Sequence, residues 1–275
     1  MSKSLLGLEA SNAIVVGAGQ GGGRGIALQL ARAGANVAVV DLDAGRAEAV
    51  AAEVREIGSE SISIAADATD ATSVAEMLAR TRGELGPVRT AVNNVGSYGS
   101  HRPAGFVDLE WDFWQTAIDL NVKSTFLCSR ECARSMQDDG VDGAIVNIAS
   151  LSGMRASPNL APYGAVKAAV MHMTQTLALE LAPRGIRVNA VAPTAIESPS
   201  LAEGISPEFM EALRESIPMQ RLCSIEELGD CVVMLASQLS RFVTGQVIAC
   251  DGGASVTTRR AEIPPGEGHR ESPGS

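Results

Sequence analysis

Residues 13–31 read AIVVGAGQGGGRGIALQLA. A short run rich in β-branched residues comes first, five glycines follow within residues 17–23, and apolar residues then recur at helical spacing. This order predicts a strand, a glycine-rich turn and a helix. Glycines let a pyrophosphate approach the backbone of such a turn, and the first N–H groups of the helix point at the phosphates. We therefore assign to a dinucleotide site the residues Gly17, Gln20, Gly21, Gly22 and Gly23.

The second predicted strand, residues 36–40, ends at Asp41, eighteen residues beyond Gly23. A carboxylate at that place accepts hydrogen bonds from the ribose hydroxyls of the cofactor and repels a 2′-phosphate. The next residue is Leu42, and the first cation after it is Arg46. We therefore assign Asp41 and Leu42 to the cofactor site and predict NAD rather than NADP. The alternative is that Asp41 is a solvent-facing helix N-cap.

The rest of the chain repeats the alternation of strand and helix. Further strands are predicted at 61–65, 88–92, 143–148 and 187–191 and within 242–253, and further helices at 43–57, 71–85, 108–137 and 159–182 and from a capping box at Ser224–Glu227. Short connections between alternating elements indicate a single-domain α/β protein with a doubly wound, seven-stranded parallel sheet and helices on both faces.

We assign residues 1–256 to this domain. Residues 194–217 follow the end of a strand and change from turn-forming to amphipathic sequence, which favours a small substrate lid. From residue 257 onward almost no residue is apolar, so a disordered tail is predicted over 257–275.

Ligands of parallel sheets bind beyond the carboxyl ends of the strands. The predicted third and fourth strands are followed at that edge by Asp67, Ala68, Asn93, Asn94, Val95 and Gly96. Asn121 interrupts the apolar stripe of the 108–137 helix, and a polar side chain there needs a partner, so we include it among the candidates. For Tyr98 and His101 we predict a solvated loop, with contact to substrate as the alternative.

Ser150 ends the fifth predicted strand, and Tyr163 and Lys167 follow on the next helix. Residues four apart on a helix share a face, so the phenol and the ammonium reach one site. A phenol titrates near pH ~10, and a nearby ammonium lowers its pKa. The trio predicts an acid/base at Tyr163, with the Ser150 hydroxyl holding a substrate oxygen. The alternative is a helix pair at the surface.

Composition excludes several classes of protein. A net charge of −10 argues against nucleic acid as a partner. The chain has no apolar run long enough to span a membrane and no signal peptide, and its five cysteines lie in apolar segments without Cys-x-x-Cys spacing, so we predict free thiols in the cytoplasm. The three histidines are scattered, so no metal site is predicted.

Over residues 8–256 the chain resembles the short-chain dehydrogenase/reductase family. The resemblance is carried by five family motifs: Gly-x-x-x-Gly-x-Gly, Asn-Asn-Ala-Gly, Asn-Ser-Tyr-Lys, a Pro-Gly segment after the sixth strand, and Asp-Gly-Gly. In this sequence they appear as Gly17, Gly21 and Gly23; Asn93–Gly96; Asn121, Ser150, Tyr163 and Lys167; Pro193 and Thr194; and Asp251–Gly253. Four residues depart from the family pattern: Val16, Gly22, Val95 and Thr194. They affect the rigidity of the turns and remove no catalytic group.

The resemblance implies a Rossmann fold, a homotetramer or homodimer, and interconversion of a secondary alcohol and a ketone. It also implies that Tyr163 and Lys167 contact the nicotinamide ribose, that Asn121 holds a water in a proton relay, and that Asp67 and Ala68 flank adenine. Contacts to the nicotinamide are implied for Pro193, Thr194 and Ile196.

Two other functions remain open on this scaffold. One is a redox-neutral epimerase or dehydratase that acts through a transient ketone and recycles its cofactor. The other is a regulator that binds NAD without turnover. The intact set of Asn121, Ser150, Tyr163 and Lys167 counts against the regulator.

Overall fold

A computed structural model describes residues 5–198, 201 and 205–258 of the chain. Its seven strands are β1 Asn12–Val16, β2 Asn36–Asp41, β3 Ser61–Ala65, β4 Val88–Asn93, β5 Gly143–Ile148, β6 Ile186–Pro193 and β7 Val247–Cys250. All pair in parallel, in the order β3-β2-β1-β4-β5-β6-β7. The predicted seven-stranded, doubly wound parallel sheet is confirmed.

Eight α-helices of the described chain flank this sheet. They are α1 Gly21–Arg32, α2 Ala44–Ile57, α3 Ala71–Leu85, α4 Trp111–Ala117, α5 Ser124–Asp138, α6 Ala161–Leu181, α7 Pro207–Ser216 and α8 Ile225–Ala236. Apolar residues of α1, α2 and α8 pack on one face of the sheet, and those of α3, α5 and α6 on the other. The strands are buried on both faces, so their sequences are continuously apolar.

Four of these eight helices begin where a short polar side chain caps them. Asp43 and Asp70 accept hydrogen bonds at the starts of α2 and α3, and Ser224 and Glu227 form the predicted capping box of α8. The caps place each helix start close to the carboxyl end of the preceding strand. The carboxyl edge of the sheet is therefore lined by turns and helix N-termini.

The helix predicted at 108–137 differs in the structure. It begins at Trp111, and residues Ile118–Lys123 form a π-helical turn between α4 and α5. Asn121 lies in that turn and is fully buried. Apolar spacing alone cannot reveal such a turn, because one wider turn keeps the average periodicity of the helix.

Two predicted segments lie partly or wholly outside the described residues. The predicted lid includes residues 199–200 and 202–204, which lie outside them, while its second half contains α7, of which Ser206 is the N-cap. The predicted tail lies outside them from residue 259 onward. The lid, the tail and the domain boundary stay predictions.

Candidate active site

The glycine-rich turn between β1 and α1 is held closed by backbone contacts that only glycine permits. Gly17 and Gly21 adopt φ values of +80° and +52°, in the left-handed region. A Cβ on Gly23 would overlap the carbonyl oxygen of Gly17. The side chain of Asn94 donates a hydrogen bond of 2.7 Å to that same carbonyl. Asn94 and Gly23 therefore fix the shape of the turn.

The N-terminus of α1 begins at this turn without a side-chain cap. Gln20 is the N-cap residue, its side chain makes no capping hydrogen bond, and the first turn carries no acidic residue. The leading N–H groups of α1 therefore remain available to an anion.

We predict that Gly23→Ala weakens NADH binding by at least about tenfold and destabilises the fold by about 2–4 kcal/mol, because the added methyl meets rigid backbone. Titration of NADH fluorescence and denaturant unfolding measure the two effects. Gly83→Ala is the matched control, since nothing lies within 4 Å of a Cβ there. Equal NADH affinity in the Gly23 variant and in wild type would contradict this role.

The carboxylate of Asp41 binds the glycine-rich turn and a nearby arginine at the same time. Its Oδ2 accepts a hydrogen bond of 2.9 Å from the backbone N–H of Gly19. Its Oδ1 accepts hydrogen bonds from Arg46 Nη2 at 3.0 Å and from the Asp43 N–H at 3.1 Å. Asp41 is 9% exposed. It is the last residue of β2 and not the N-cap of α2, which is Asp43.

A cleft of about 400 Å³ runs along the carboxyl edge of the sheet past Asp41. The predicted cofactor residues that line it are Gly17, Gln20, Gly21, Gly22, Asp41, Leu42, Asp67, Ala68, Asn94, Val95, Gly96 and Ile196. Arg46, Thr69, Ser97, Leu120 and Ser198 line it as well and were not among the predicted site residues. The glycine-rich turn, the acid at the end of β2 and the Asn94–Gly96 turn thus meet in one elongated groove.

Six predicted cofactor residues do not line this cleft, namely Gly23, Asn93, Tyr163, Lys167, Pro193 and Thr194. Asn93 is 3% exposed and donates hydrogen bonds to Ser129 and Asn147, so its side chain joins the core beneath α5. Successive residues at a strand end point to opposite faces, which sends Asn94 to the cleft and Asn93 away from it. Pro193 is buried at the end of β6. Thr194 lines a separate pocket.

Three of the four catalytic candidates converge beside Gly96, a residue of the cleft wall whose added Cβ would overlap Lys167 Nζ. Ser150 follows β5, and its hydroxyl is hydrogen-bonded to the phenol of Tyr163. The Nζ of Lys167 lies 5.6 Å from the centre of the Tyr163 ring and donates a hydrogen bond of 2.9 Å to the carbonyl of Ile148. Lys167 is 2% exposed.

The structure does not show the predicted lowering of the Tyr163 pKa. Burial raises the pKa of Tyr163 to about 12, against the lowering effect of the hydrogen bond with Ser150. Burial likewise lowers the pKa of Lys167 to about 8. Loss of water is the dominant effect on both groups, and the Lys167 amine is bound to the Ile148 carbonyl rather than to the phenol oxygen.

A buried oxygen of Asn121 completes this end of the cleft. The Asn121 Nδ2 donates hydrogen bonds to the carbonyls of Ser97 at 2.6 Å and Ala117 at 2.8 Å. Its Oδ1 is buried and has no hydrogen-bond partner among the described residues. A Cβ on Gly96 would lie 2.8 Å from this oxygen and would overlap Lys167 Nζ. The oxygen, the amine and the bare Gly96 backbone therefore form a polar recess that fits a hydroxyl-bearing group.

Two residues of the predicted solvated loop pack into this site instead. The Tyr98 ring meets Tyr163 edge-on at 5.6 Å and lies 5.9 Å from Phe113. His101 stacks on Phe113 at 5.0 Å. The loop is therefore an aromatic side of the site, which its polar and glycine-rich sequence conceals.

Comparison with known proteins identifies the family. A family model described as enoyl-(acyl carrier protein) reductase matches residues 17–255. The chain belongs to the short-chain dehydrogenase/reductase family. As a member of this family of oxidoreductases, it has the fold that its motifs predict, and the resemblance noted from the sequence is confirmed.

Three similar proteins of this family illustrate its range. The 3-oxoacyl-(acyl-carrier-protein) reductase FabG of Staphylococcus epidermidis is 38% identical over 243 residues, which are 88% of this chain and 98% of that protein. The cis-4-hydroxycyclohexanecarboxylate dehydrogenase of Sinomonas cyclohexanicum is 34% identical over 88% of this chain and 95% of that protein. A solved 7α-hydroxysteroid dehydrogenase, complexed with NADH and 7-oxo glycochenodeoxycholic acid, has a TM-score of 0.87 and 31% identity over 95% of this chain and 99% of that chain.

Two kinds of feature are absent from the described residues. In the part of the chain that the structure describes, no helix is both long enough and apolar enough to cross a membrane. Within the same residues, no group of His, Cys, Asp or Glu side chains could hold a metal ion.

Proposed function

We propose that this dehydrogenase/reductase is NAD-dependent and interconverts a secondary alcohol and a ketone. The observation that carries the proposal is the convergence of Ser150, Tyr163 and Lys167 beside Gly96, in the wall of the cleft that begins at the glycine-rich turn. The cleft fits a dinucleotide for three reasons. Glycines form its turn, the N-terminus of α1 has no side-chain cap, and the buried Asn121 Oδ1 has no hydrogen-bond donor among the described residues. Bound NAD supplies the acceptor for hydride.

The protein's own groups handle the proton and the substrate oxygen. The Ser150 hydroxyl, already hydrogen-bonded to Tyr163, holds the substrate oxygen beside the phenol. Tyr163 takes the hydroxyl proton during oxidation and returns it during reduction. Lys167 stabilises the phenolate by its charge and binds a ribose hydroxyl. Asn121 holds the water through which the proton leaves.

The two outer parts of the cleft would hold the rest of the cofactor. Leu42, Asp67 and Ala68 border the adenosine, and Ile196 borders the nicotinamide. Pro193 is buried at the end of β6 and Thr194 lines the separate pocket, so neither borders the cleft directly. The glycine-rich turn binds the pyrophosphate.

NAD is favoured over NADP by the position of Asp41. The carboxylate is fixed at the cleft by the Gly19 N–H, so a 2′-phosphate would meet a buried negative charge. Arg46 pairs with this carboxylate, which ties up the nearest cation that could otherwise bind the phosphate. The solved 7α-hydroxysteroid dehydrogenase described above is complexed with NADH, which supports the same preference.

We predict that Asp41→Ser lowers the ratio of kcat/KM for NAD to that for NADP by about 10²-fold, since it removes a charged hydrogen-bond acceptor and frees Arg46. Steady-state kinetics with both cofactors measures the ratio. Asp43→Ser is the control, because Asp43 is an acid two residues away that caps α2. An unchanged ratio in the Asp41 variant would refute the assignment of this carboxylate.

The surroundings of Tyr163 support a substrate with apolar bulk next to its reacting carbon. Tyr98 borders the phenol, and Phe113 and His101 stand behind it. Exposed Met154 and buried Leu151 follow Ser150 on the other side. Of the similar proteins, two are named for a cyclohexane and a steroid compound, which fits a cyclic alcohol.

We also propose a homotetramer or homodimer in the cytoplasm. Large apolar side chains are exposed along α4, α5 and α6, namely Trp111, Phe126 and Leu179, and such side chains suit burial against a second copy. All five cysteines are free, which fits a reducing compartment.

The proposed activity is tested by following NADH formation with a panel of aliphatic, cyclic, polyol and hydroxy-acid alcohols, each with NAD and NADP in parallel. Turnover with NAD on a secondary alcohol supports the proposal. Preference for NADP would overturn the cofactor assignment. Tight NADH binding with no net oxidation of any alcohol or reduction of any ketone would overturn the dehydrogenase and favour a redox-neutral reaction or a regulator.

A further inference from the structure

Three cysteines that are distant in the sequence form a chain of thiols at the carboxyl end of β7. Cys223 Sγ and Cys250 Sγ lie 3.6 Å apart. Cys231, on α8, is hydrogen-bonded to Cys250 in turn. The pocket of about 460 Å³ that also contains Thr194 is lined by all three thiols. Cys250 and Cys231 are partly exposed, while Cys223 is buried, so a small solute reaches the cluster through this pocket.

The three thiols are chemically unequal. The hydrogen bond from Cys250 lowers the pKa of Cys223. Hydrogen bonding to Cys223 raises the pKa of Cys250 to about 12, and that of Cys231 is raised by its bond to Cys250 and by burial. Cys223 Sγ also lies 3.4 Å from the Ser224 carbonyl. It is the one thiol of the three whose pKa is lowered, so it carries the greatest thiolate character, which is what makes a cysteine nucleophilic.

The backbones of Cys223 and Cys250 both form hydrogen bonds with residues 194–197. The backbone carbonyl of Cys250 accepts a hydrogen bond from the Thr194 N–H at 3.2 Å. The backbone of Cys223 pairs with Ile196 in an isolated β-bridge. Its carbonyl accepts a hydrogen bond from the Glu197 N–H at 2.8 Å, and its N–H donates one to the Ala195 carbonyl at 3.2 Å. Residues 194–197 lead from β6 to the wall of the cofactor cleft, where the end of the Ile196 side chain faces Gly22.

We propose that Cys223 and Cys250 are an oxidisable dithiol, which a peroxide converts into an intramolecular disulfide that displaces residues 194–197 and weakens cofactor binding. The sulfur atoms are at van der Waals contact and need to approach by about 1.5 Å to reach a bond length near 2 Å. That approach draws Cys223 toward β7 and with it the bridge to Ile196. The second half of this proposal rests on the proposed NAD cofactor, and the first half does not.

The chemistry balances with hydrogen peroxide as the two-electron oxidant. The Cys223 thiolate attacks one peroxide oxygen, the O–O bond breaks, and after proton uptake water leaves and Cys223 is a sulfenic acid. The Cys250 sulfur then attacks the sulfenic sulfur, the S–O bond breaks, the Cys250 proton goes to the departing hydroxide, and a second water leaves. Two thiols lose two electrons in total, and one peroxide becomes two waters.

The test is to treat the full-length chain with hydrogen peroxide, block the remaining thiols by alkylation, and map the disulfides by mass spectrometry without reduction. Trypsin leaves Cys223 and Cys231 in one peptide, residues 222–241, so a second cleavage after Glu226 and Glu227 is needed to separate them. We expect a linked pair of peptides that contain Cys223 and Cys250, reversed by dithiothreitol, absent in Cys250→Ser and retained in Cys231→Ser.

Titration of NADH into the oxidised and the reduced chain tests the coupling to the cleft. We expect several-fold weaker binding after oxidation in wild type and no change on oxidation in Cys250→Ser. A bond between Cys231 and Cys250 in wild type, sulfinic acid at Cys223 without a linked peptide, or equal NADH affinity of the fully linked and reduced chains would each overturn the proposal. A reduced chain that binds no NADH would instead refute the proposed cofactor, while the peptide map still decides whether the disulfide forms.

Discussion

Replacing Tyr163 with phenylalanine is expected to lower kcat by about 10²–10⁴-fold, the range that a general acid or base contributes. The ring keeps its edge-on contact with Tyr98, and Ser150 and Lys167 keep their places, so only the proton carrier is lost. NADH affinity should stay within about twofold of wild type. Steady-state kinetics on the best alcohol of the panel and NADH titration measure the two quantities.

The chain contains a matched control for this variant in its only other tyrosine. Tyr98→Phe removes a phenol hydroxyl from the same aromatic cluster and preserves the ring contacts with Phe113 and Tyr163. We expect a change in kcat of less than about tenfold. Comparable losses in the two variants would show that the cluster needs its hydroxyls for structure, and Tyr163 would then lose its role as the acid/base.

Replacing Lys167 with methionine is expected to lower kcat by at least about 10²-fold and to remove a pH dependence of stability. Burial lowers the pKa of Lys167 from 10.5 to about 8. Between these values the unfolded chain binds more protons than the folded one, so the free energy of unfolding rises with pH through this window. The expected rise is ~3 kcal/mol, and below pH ~8 the full penalty of burying the charge is present.

Guanidinium unfolding of wild type and Lys167→Met between pH 7 and pH 10 measures this effect without cofactor. The difference between the two proteins isolates Lys167, because the tyrosines and thiols that also titrate at high pH are common to both. A difference that does not vary with pH would refute the shifted pKa. Burial would then lower the pKa of the Lys167 amine less than the structure indicates.

The sequence was sufficient for the fold, and it predicted candidate site residues that the structure brings close together, because both depend on local pattern. The strand, glycine turn and helix at residues 12–32 are contiguous, and Tyr163 and Lys167 are one helical turn apart. The placement of Asn93 could have been corrected from the alternation of side chains along a strand. Its neighbour Asn94 faces the cleft and closes the turn, whereas Asn93 binds Ser129 and Asn147 in the core.

Other features depend on contacts between distant residues, which no local pattern records. Cys223 and Cys250 are far apart in the sequence and meet only because β7 pairs with β6. The pairing of Arg46 with Asp41 depends on where α2 begins relative to β2. The pKa of Tyr163 was misjudged because its sign depends on how completely the folded chain removes water from the phenol.

The π-helical turn at Ile118–Lys123 gives the α4–α5 helix a phase shift. An α-helix advances by about 100° per residue, and a wider turn delays that rotation by the equivalent of about one residue. The apolar faces of α4 and α5 are therefore rotated relative to each other about the helix axis. The rotation occurs at the turn that contains Asn121, whose side chain lies near Gly96 and Lys167. Deleting one residue within this turn would restore a continuous α-helix, but would bring either Asn121 or the buried face of α5 out of register.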